Sequence, residues 1–179
     1  MKNKIAWVFG SSAVGKETFI RDIVKKRLFE VSDRLDWNNK QIIPCEESMS
    51  WVVQEDGDGH EQRREDLVDL VINYTKAPDS VVLVKGQDLD LEADRLRKLK
   101  EKLPNCEHEI VYLYIDLSIL YERYKRKKWW TEKLTKEVCK EWLQKQVEML
   151  EEFRGDFKIT ALESDDNRKY KNIDFPPLI

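Results

Sequence analysis

The sequence predicts an α/β fold in three layers, with a five-stranded parallel sheet between helices on both faces. Three observations carry this reading. Short apolar runs of strand length keep returning between amphipathic stretches of helix length, the pattern of parallel strands joined by right-handed helical crossovers. The first run leads straight into a glycine-bearing loop and then a helix. The chain has 179 residues, 41% of them apolar, enough for one substantial core and in keeping with a single domain over residues 1–179.

In chain order, Ile5-Ala6-Trp7-Val8-Phe9 reads as a buried first strand, and a helix is expected from about Gly15 to Val31. Gln41-Ile42-Ile43 is a weak second strand. An irregular segment from Pro44 and an acidic loop, Glu55-Asp56-Gly57-Asp58-Gly59, precede a helix in which Leu67, Leu70, Val71 and Tyr74 recur at helical spacing. The β-branched run from Ser80 to Val84 is the third strand. A helix from Leu91 to Leu103 stops at Pro104, and Ile110 to Ile115 is the fourth strand. Leu117 to Lys128 and Lys136 to Phe153 are two further helices, the second turning Val138, Trp142, Val147, Leu150 and Phe153 toward a core. Phe157 to Leu162 closes the series as the fifth strand, and the proline-rich end reads as a tail packed on the surface. No internal repeat or low-complexity segment is visible.

Between the first strand and its helix lies Gly10-Ser11-Ser12-Ala13-Val14-Gly15-Lys16-Glu17-Thr18, which fits G-x-x-x-x-G-K. The glycines let the backbone wrap with its N–H groups pointing inward, and the following helix aims its positive end at the same spot. A lysine there reaches the outer phosphates of a nucleotide. All nine residues are therefore candidates for nucleotide binding, and the fold class becomes that of the P-loop NTPases. The residue after Lys16 is Glu17, where a serine or threonine usually contacts magnesium; Thr18 follows one place later and is the candidate metal residue of the loop.

Ligands of parallel α/β sheets lie outside the carboxyl ends of the strands, which restricts the remaining candidates. After the third strand, Lys85-Gly86-Gln87-Asp88-Leu89-Asp90 offers Asp88 as a carboxylate for magnesium, against the ordinary use of Asp in turns and caps. After the second strand, Glu46 and Glu47 are placed to orient or deprotonate an acceptor hydroxyl, against the plain reading of a solvated acidic pair. After the fourth strand the chain turns basic, from Tyr121 to Lys128. Arg123 and Arg126 share one helix face there, and guanidinium forks supply the positive charge that phosphoryl transfer needs. The plainer alternative is a charged outer face with Tyr124 and Trp129 packed inward.

The net charge of −3 argues against a protein whose main task is to coat nucleic acid. The first apolar run is too short for a secretory segment, and no stretch is long enough to span a bilayer. Cys45, Cys106 and Cys139 are widely spaced, odd in number and without metal-site spacing, which suits a reduced, cytoplasmic setting. Nothing in the sequence sets an oligomeric state.

The loop GSSAVGKET resembles that of the nucleoside monophosphate kinases (adenylate and guanylate kinases), with Gly10, Gly15, Lys16 and Thr18 matching. The run LYIDLSILYERYKRK is similar to their fourth strand and the helix leading into an arginine-bearing lid. That resemblance implies that Lys16 and the loop N–H groups bind the β- and γ-phosphates, that Thr18 reaches an inner phosphate, and that Arg123 and Arg126, in a basic lid around 123–133, close over the transferring group. Glu17 departs from the pattern, as does the lack of a recognisable guanine-binding insertion or acceptor-binding arginine pattern; Arg34, Arg63 and Arg64 are the arginines left for that task. The expectation is an ATP-dependent phosphotransferase with Mg²⁺, acting on a small acceptor between the second-strand edge and the loop around Glu55 to His60. A nucleotide-hydrolysing switch, and a non-catalytic module binding nucleotide or nucleic acid through the basic helix, are the alternatives.

Overall fold

β1 (Lys4–Phe9) is buried at all six positions, which is why its run of apolar residues shows no alternation: both faces of the strand are covered. It pairs in parallel with β3 (Ser80–Lys85) on one side and β4 (Glu107–Tyr114) on the other. β2 (Gln41–Pro44) lies outside β3, and β5 (Lys158–Ser164) outside β4, both parallel. The computed structural model describes residues 2–49, 59–86, 89–128, 130–165 and 167–179, without the side chains of residues 49, 59–66 and 89–91.

The sheet has six strands where five were expected. Tyr170–Ile173 forms β6, antiparallel to β5, giving the order β2-β3-β1-β4-β5-β6. The segment looks like a tail because half its side chains face water. It is held as an edge strand by the register pair Glu163 and Lys171, whose side chains form an ion pair, and by aromatic contacts on either side. Tyr170 meets the edge of Phe19 at a centroid distance of 5.1 Å, and Phe175 that of Tyr112 at 5.9 Å. The turn between β5 and β6 is closed by Asp165, whose carboxylate accepts from the N–H groups of Asn167 and Lys169.

α1 (Lys16–Val24) packs with α2 (Phe29–Arg34), while α4 (Gly59–Tyr74), α5 (Leu89–Lys102) and α7 (Lys136–Glu151) form a second group, with α6 (Leu117–Lys125) against α7. Right-handed crossovers produce these two groups from this strand order. The step from β1 to β2 runs one way along the sheet, and the steps from β2 through β5 run the other. The single helix expected from Gly15 to Val31 is broken: Lys25 caps α1 and Lys26 takes a left-handed φ of 56°. Trp142, expected in the core, stands 45% exposed and touches Tyr124 edge-on.

Candidate phosphate-binding site

The loop from Gly10 to Gly15 leaves β1 at its carboxyl end and delivers the chain into α1. Two of its glycines are required by geometry. Gly10 has φ 145°, and a Cβ there would sit 2.5 Å from the carbonyl oxygen of Leu113 in β4. Gly15 has φ 102°, serves as the N-cap of α1, and has nothing within 4 Å of where a Cβ would stand. No side chain caps the start of α1, the end of the helix that carries its positive dipole. Ala13 also takes a positive φ of 64°.

Lys16 is buried and folds back over the loop, its Nζ donating to the carbonyls of Gly10 at 2.6 Å and Ser11 at 3.0 Å. The ammonium is thus held beside the helix N-terminus, so charge and backbone donors converge on one point.

α6 is fastened to the same loop. Its N-cap Asp116 accepts from Ser118 and Ile119, which fixes the start of the helix at the end of β4. Near its other end Arg123 Nη1 donates to the carbonyls of Ala13 at 3.0 Å and Val14 at 3.4 Å. Tyr124, its hydroxyl pushed up to about 12 by burial, hydrogen-bonds Ser11. Arg126 and Lys127 lie just beyond these ties and are exposed. Together with the loop, Thr18 and the β5–β6 turn they line a cavity of about 470 Å³. Arg123 and Arg126 are therefore brought to the loop together, the first bound to its backbone and the second on the cavity wall.

The far wall of this cavity, Asp165, Arg168 and Tyr170, was not singled out from the sequence. Its signal was the turn-forming Asp165-Asp166-Asn167 between two strand-length runs. Arg168 also approaches Asp22 of α1, at 3.7 Å.

Glu17 is engaged by basic side chains. Its Oε1 accepts from Arg21 Nη2 at 2.9 Å and Nε at 3.2 Å, and its Oε2 lies 3.8 Å from Lys85 Nζ at the end of β3. Lys85 is half-buried; desolvation holds its pKa below the ordinary lysine value, with Glu17 acting in the opposite direction. Asp88, the expected magnesium ligand, lies outside the described residues. The usual magnesium pattern is a hydroxyl after the loop lysine and a carboxylate at the end of the neighbouring strand, and Thr18, one place beyond that hydroxyl position, lines the cavity. The hydroxyl position is Glu17, and the strand ends in Lys85.

At the β2 edge, Glu47 at the start of α3 (Glu46–Met49) is gripped by the Tyr74 hydroxyl, 3.2 and 3.1 Å from its two carboxylate oxygens. Burial, then Glu47, raises the Tyr74 pKa, and burial pushes the Cys45 thiol beside it up to about 12. Glu46 is exposed. Ser48 ties this edge to the centre of the sheet by accepting from the N–H of Lys85 at 3.0 Å. Arg34 is committed elsewhere, donating to Asn172 and to the carbonyl of Tyr170 on β6. The side chains of Arg63 and Arg64, and most of the loop from Glu55 to His60, lie outside the described residues.

No protein-family model matches the sequence, and no curated protein matches it. Solved structures do. A shikimate kinase from Bacteroides thetaiotaomicron is similar with a TM-score of 0.51 at 15% identity, over 92% of this chain and 91% of that one. The tunicamycin resistance protein of Deinococcus radiodurans is similar with a TM-score of 0.51 at 17% identity, over 91% and 87%. The chain shares its fold with these two proteins. A structure from the PezAT chromosomal toxin-antitoxin system of Streptococcus pneumoniae is also similar, with a TM-score of 0.53 at 15% identity over 94% of this chain and 71% of that one. The likeness is one of fold and does not single out the nucleoside monophosphate kinases that the loop and basic helix resemble.

Proposed function

We propose that this chain is an ATP-dependent phosphotransferase acting on a small hydroxyl-bearing acceptor. The observation that carries the reading is the convergence at the loop. The Lys16 ammonium, the uncapped start of α1 and the Arg126 side of a cavity meet at one carboxyl edge of the sheet. Such preorganised donors stabilise the charge of a transferring phosphoryl group without reorganising during the step. Arg123 and Tyr124 act on the loop's shape, and Arg126 stands where a guanidinium meets the outer phosphates. Glu47, positioned by Tyr74, is the residue to receive the acceptor's proton, with Glu46, Arg63 and Arg64 as further acceptor contacts. The shared fold with a shikimate kinase supports a small-molecule acceptor.

The test is a panel of sugars, hydroxy acids, nucleosides and nucleotides incubated with the full chain and ATP, with and without magnesium, and read as ADP release and phosphorylated product. Release that depends on one acceptor class supports the proposal. Release indifferent to every acceptor makes the chain a hydrolase, and tight nucleotide binding with no release makes it a binding module.

A further inference from the structure

The cavity that adjoins the phosphate loop at Gly15 and Thr18 is lined by Arg123, Arg126, Lys127 and Arg168, against the carboxylate of Asp165 among its described residues. Arg123 is tied to the loop carbonyls, and Arg126 is assigned above to the outer phosphates. That leaves Lys127, from the α6 side, and Arg168, from the β5–β6 turn, with no part in the transfer.

Arg168 is placed on the cavity wall without being used up there. It takes a left-handed φ of 59°, and its Nη1 lies 3.7 Å from Asp22 Oδ2, beyond hydrogen-bond distance. That carboxylate is shared, since Arg27 Nη1 stands 3.6 Å from Oδ1. Two guanidinium groups therefore face one carboxylate, and a positive charge remains. The Asp165 carboxylate meanwhile accepts from the backbone N–H groups of Asn167 and Lys169. Next to it in the chain, Ser164 ends β5, lines the cavity and is only 3% exposed, and its Oγ has no hydrogen-bond partner among the described residues. A buried hydroxyl left unpaired costs free energy that a ligand accepting from it returns.

A nucleotide whose β- and γ-phosphates rest on the loop puts its ribose and base into the adjoining space, which is this cavity. Ribose and base are neutral, and covering Lys127 and Arg168 with them would strip water from two cations with no charge in return. A phosphate supplies that charge and accepts from the Ser164 hydroxyl as well as from the cations. We propose that this cavity holds a second phosphate of the nucleotide, carried on its 2′ or 3′ ribose oxygen, with Arg168, Lys127 and Ser164 as its contacts. The inference rests on the reading of the loop as a nucleotide site.

Isothermal titration of the full chain compares ADP with ADP bearing a further phosphate at the 2′ or at the 3′ oxygen. Wild type should bind one of the two phosphorylated forms at least about tenfold more tightly than ADP, the gain of a charge-assisted contact, and the form preferred tells which oxygen is read. The ratio of that affinity to the ADP affinity of the same variant should fall in Ser164→Ala and be lost in Arg168→Ala, while Arg168→Lys, which keeps the charge, should retain most of it. Lys127→Ala replaces Arg168→Ala if thermal melting shows that variant unfolded. A wild type that binds ADP and gains less than about tenfold from either added phosphate overturns the inference and leaves the nucleotide reading standing. A gain that the folded alanine variant keeps whole overturns it equally. A folded chain that binds none of these nucleotides overturns both.

Discussion

Arg123 of α6 donates through Nη1 to the carbonyl oxygen of Ala13 at 3.0 Å, joining the basic helix to the phosphate loop at a residue whose φ is 64°. The guanidinium compensates a carbonyl that the loop's tight path turns outward. Arg126, one turn on, is exposed and lines the same cavity from beyond that tie. The two arginines of one helix face therefore stand differently toward the loop.

Their alanine variants should separate accordingly. Arg123→Ala removes charged hydrogen bonds to the backbone and should cost roughly 1–3 kcal/mol of stability as well as nucleotide affinity. Arg126→Ala should leave the melting temperature unchanged and lower turnover by about tenfold or more, with a smaller change in ATP affinity. Melting curves, ATP titration and turnover on the two variants check this, and identical profiles would refute the division.

Gly10 gives a second expectation. A methyl group at that Cα meets the Leu113 carbonyl at 2.5 Å and Val14 Cγ1 at 2.9 Å, and φ 145° is a conformation an alanine avoids. Both obstacles are backbone or buried core, so neither yields cheaply. Gly10→Ala should destabilise the chain by roughly 1–3 kcal/mol and displace the loop, weakening ATP binding. Gly15→Ala carries the strained φ without the clash and should be milder in stability; equal losses in chemical denaturation would contradict the steric argument.

These two glycines were legible in the sequence because G-x-x-x-x-G-K encodes its own geometry, and so were the five parallel strands, whose apolar runs report burial on both faces. Glu17 was legible as a departure, and its partner Arg21 sits at helical spacing four residues on. Lys85 was not, because its approach to Glu17 depends on β3 lying beside β1 in one particular register, a pairing between residues 68 positions apart in the chain. β6 was missed for a related reason. Its polar residues carry no burial signal, and it is a strand by its antiparallel pairing with β5, supported by the Glu163–Lys171 pair and the contacts of Tyr170 and Phe175. The cavity wall formed by Asp165, Arg168 and Tyr170 was lost with it.

The far end of the sheet gives a pH dependence. His108, near the start of β4, donates from Nε2 to the carbonyl of Leu103 at 3.0 Å, a bond that only the Nε2–H tautomer or the imidazolium makes. Burial lowers its pKa below the ordinary 6.5, the Leu103 bond opposing and Lys100 assisting. A lowered folded pKa means that stability present above about 6.5 is lost as pH falls through that value toward the folded one. Glu109 beside it has the opposite sign. Its pKa is raised by burial against the Trp37 bond at 2.6 Å and the Lys4 charge, so its protonation in acid favours the folded state. Comparing wild type with His108→Gln cancels the Glu109 contribution. The variant should gain on wild type as pH drops from about 7.5 to about 5, measured by urea unfolding at each pH. A difference that does not change with pH would contradict the assignment.

Lys16 is where the loop's geometry and the proposed chemistry meet most directly. In this structure its ammonium is satisfied by the carbonyls of Gly10 and Ser11, at 2.6 and 3.0 Å, so a nucleotide must offer more than those two acceptors to draw it out. Outer phosphates do, because a charged acceptor forms the stronger bond. Lys16→Met keeps the buried stem and removes the charge. It should fold, and ADP affinity should fall by roughly 10- to 100-fold, the equivalent of about 1.5–3 kcal/mol for a lost charge-assisted contact. Thermal stabilisation reads the same quantity independently. At a nucleotide concentration ~100 times the wild-type dissociation constant, wild type should gain about 2.7 kcal/mol, and a variant binding ~100-fold more weakly about 0.4 kcal/mol. A folded variant stabilised as strongly as wild type would remove Lys16, and with it the phosphate loop, from the site.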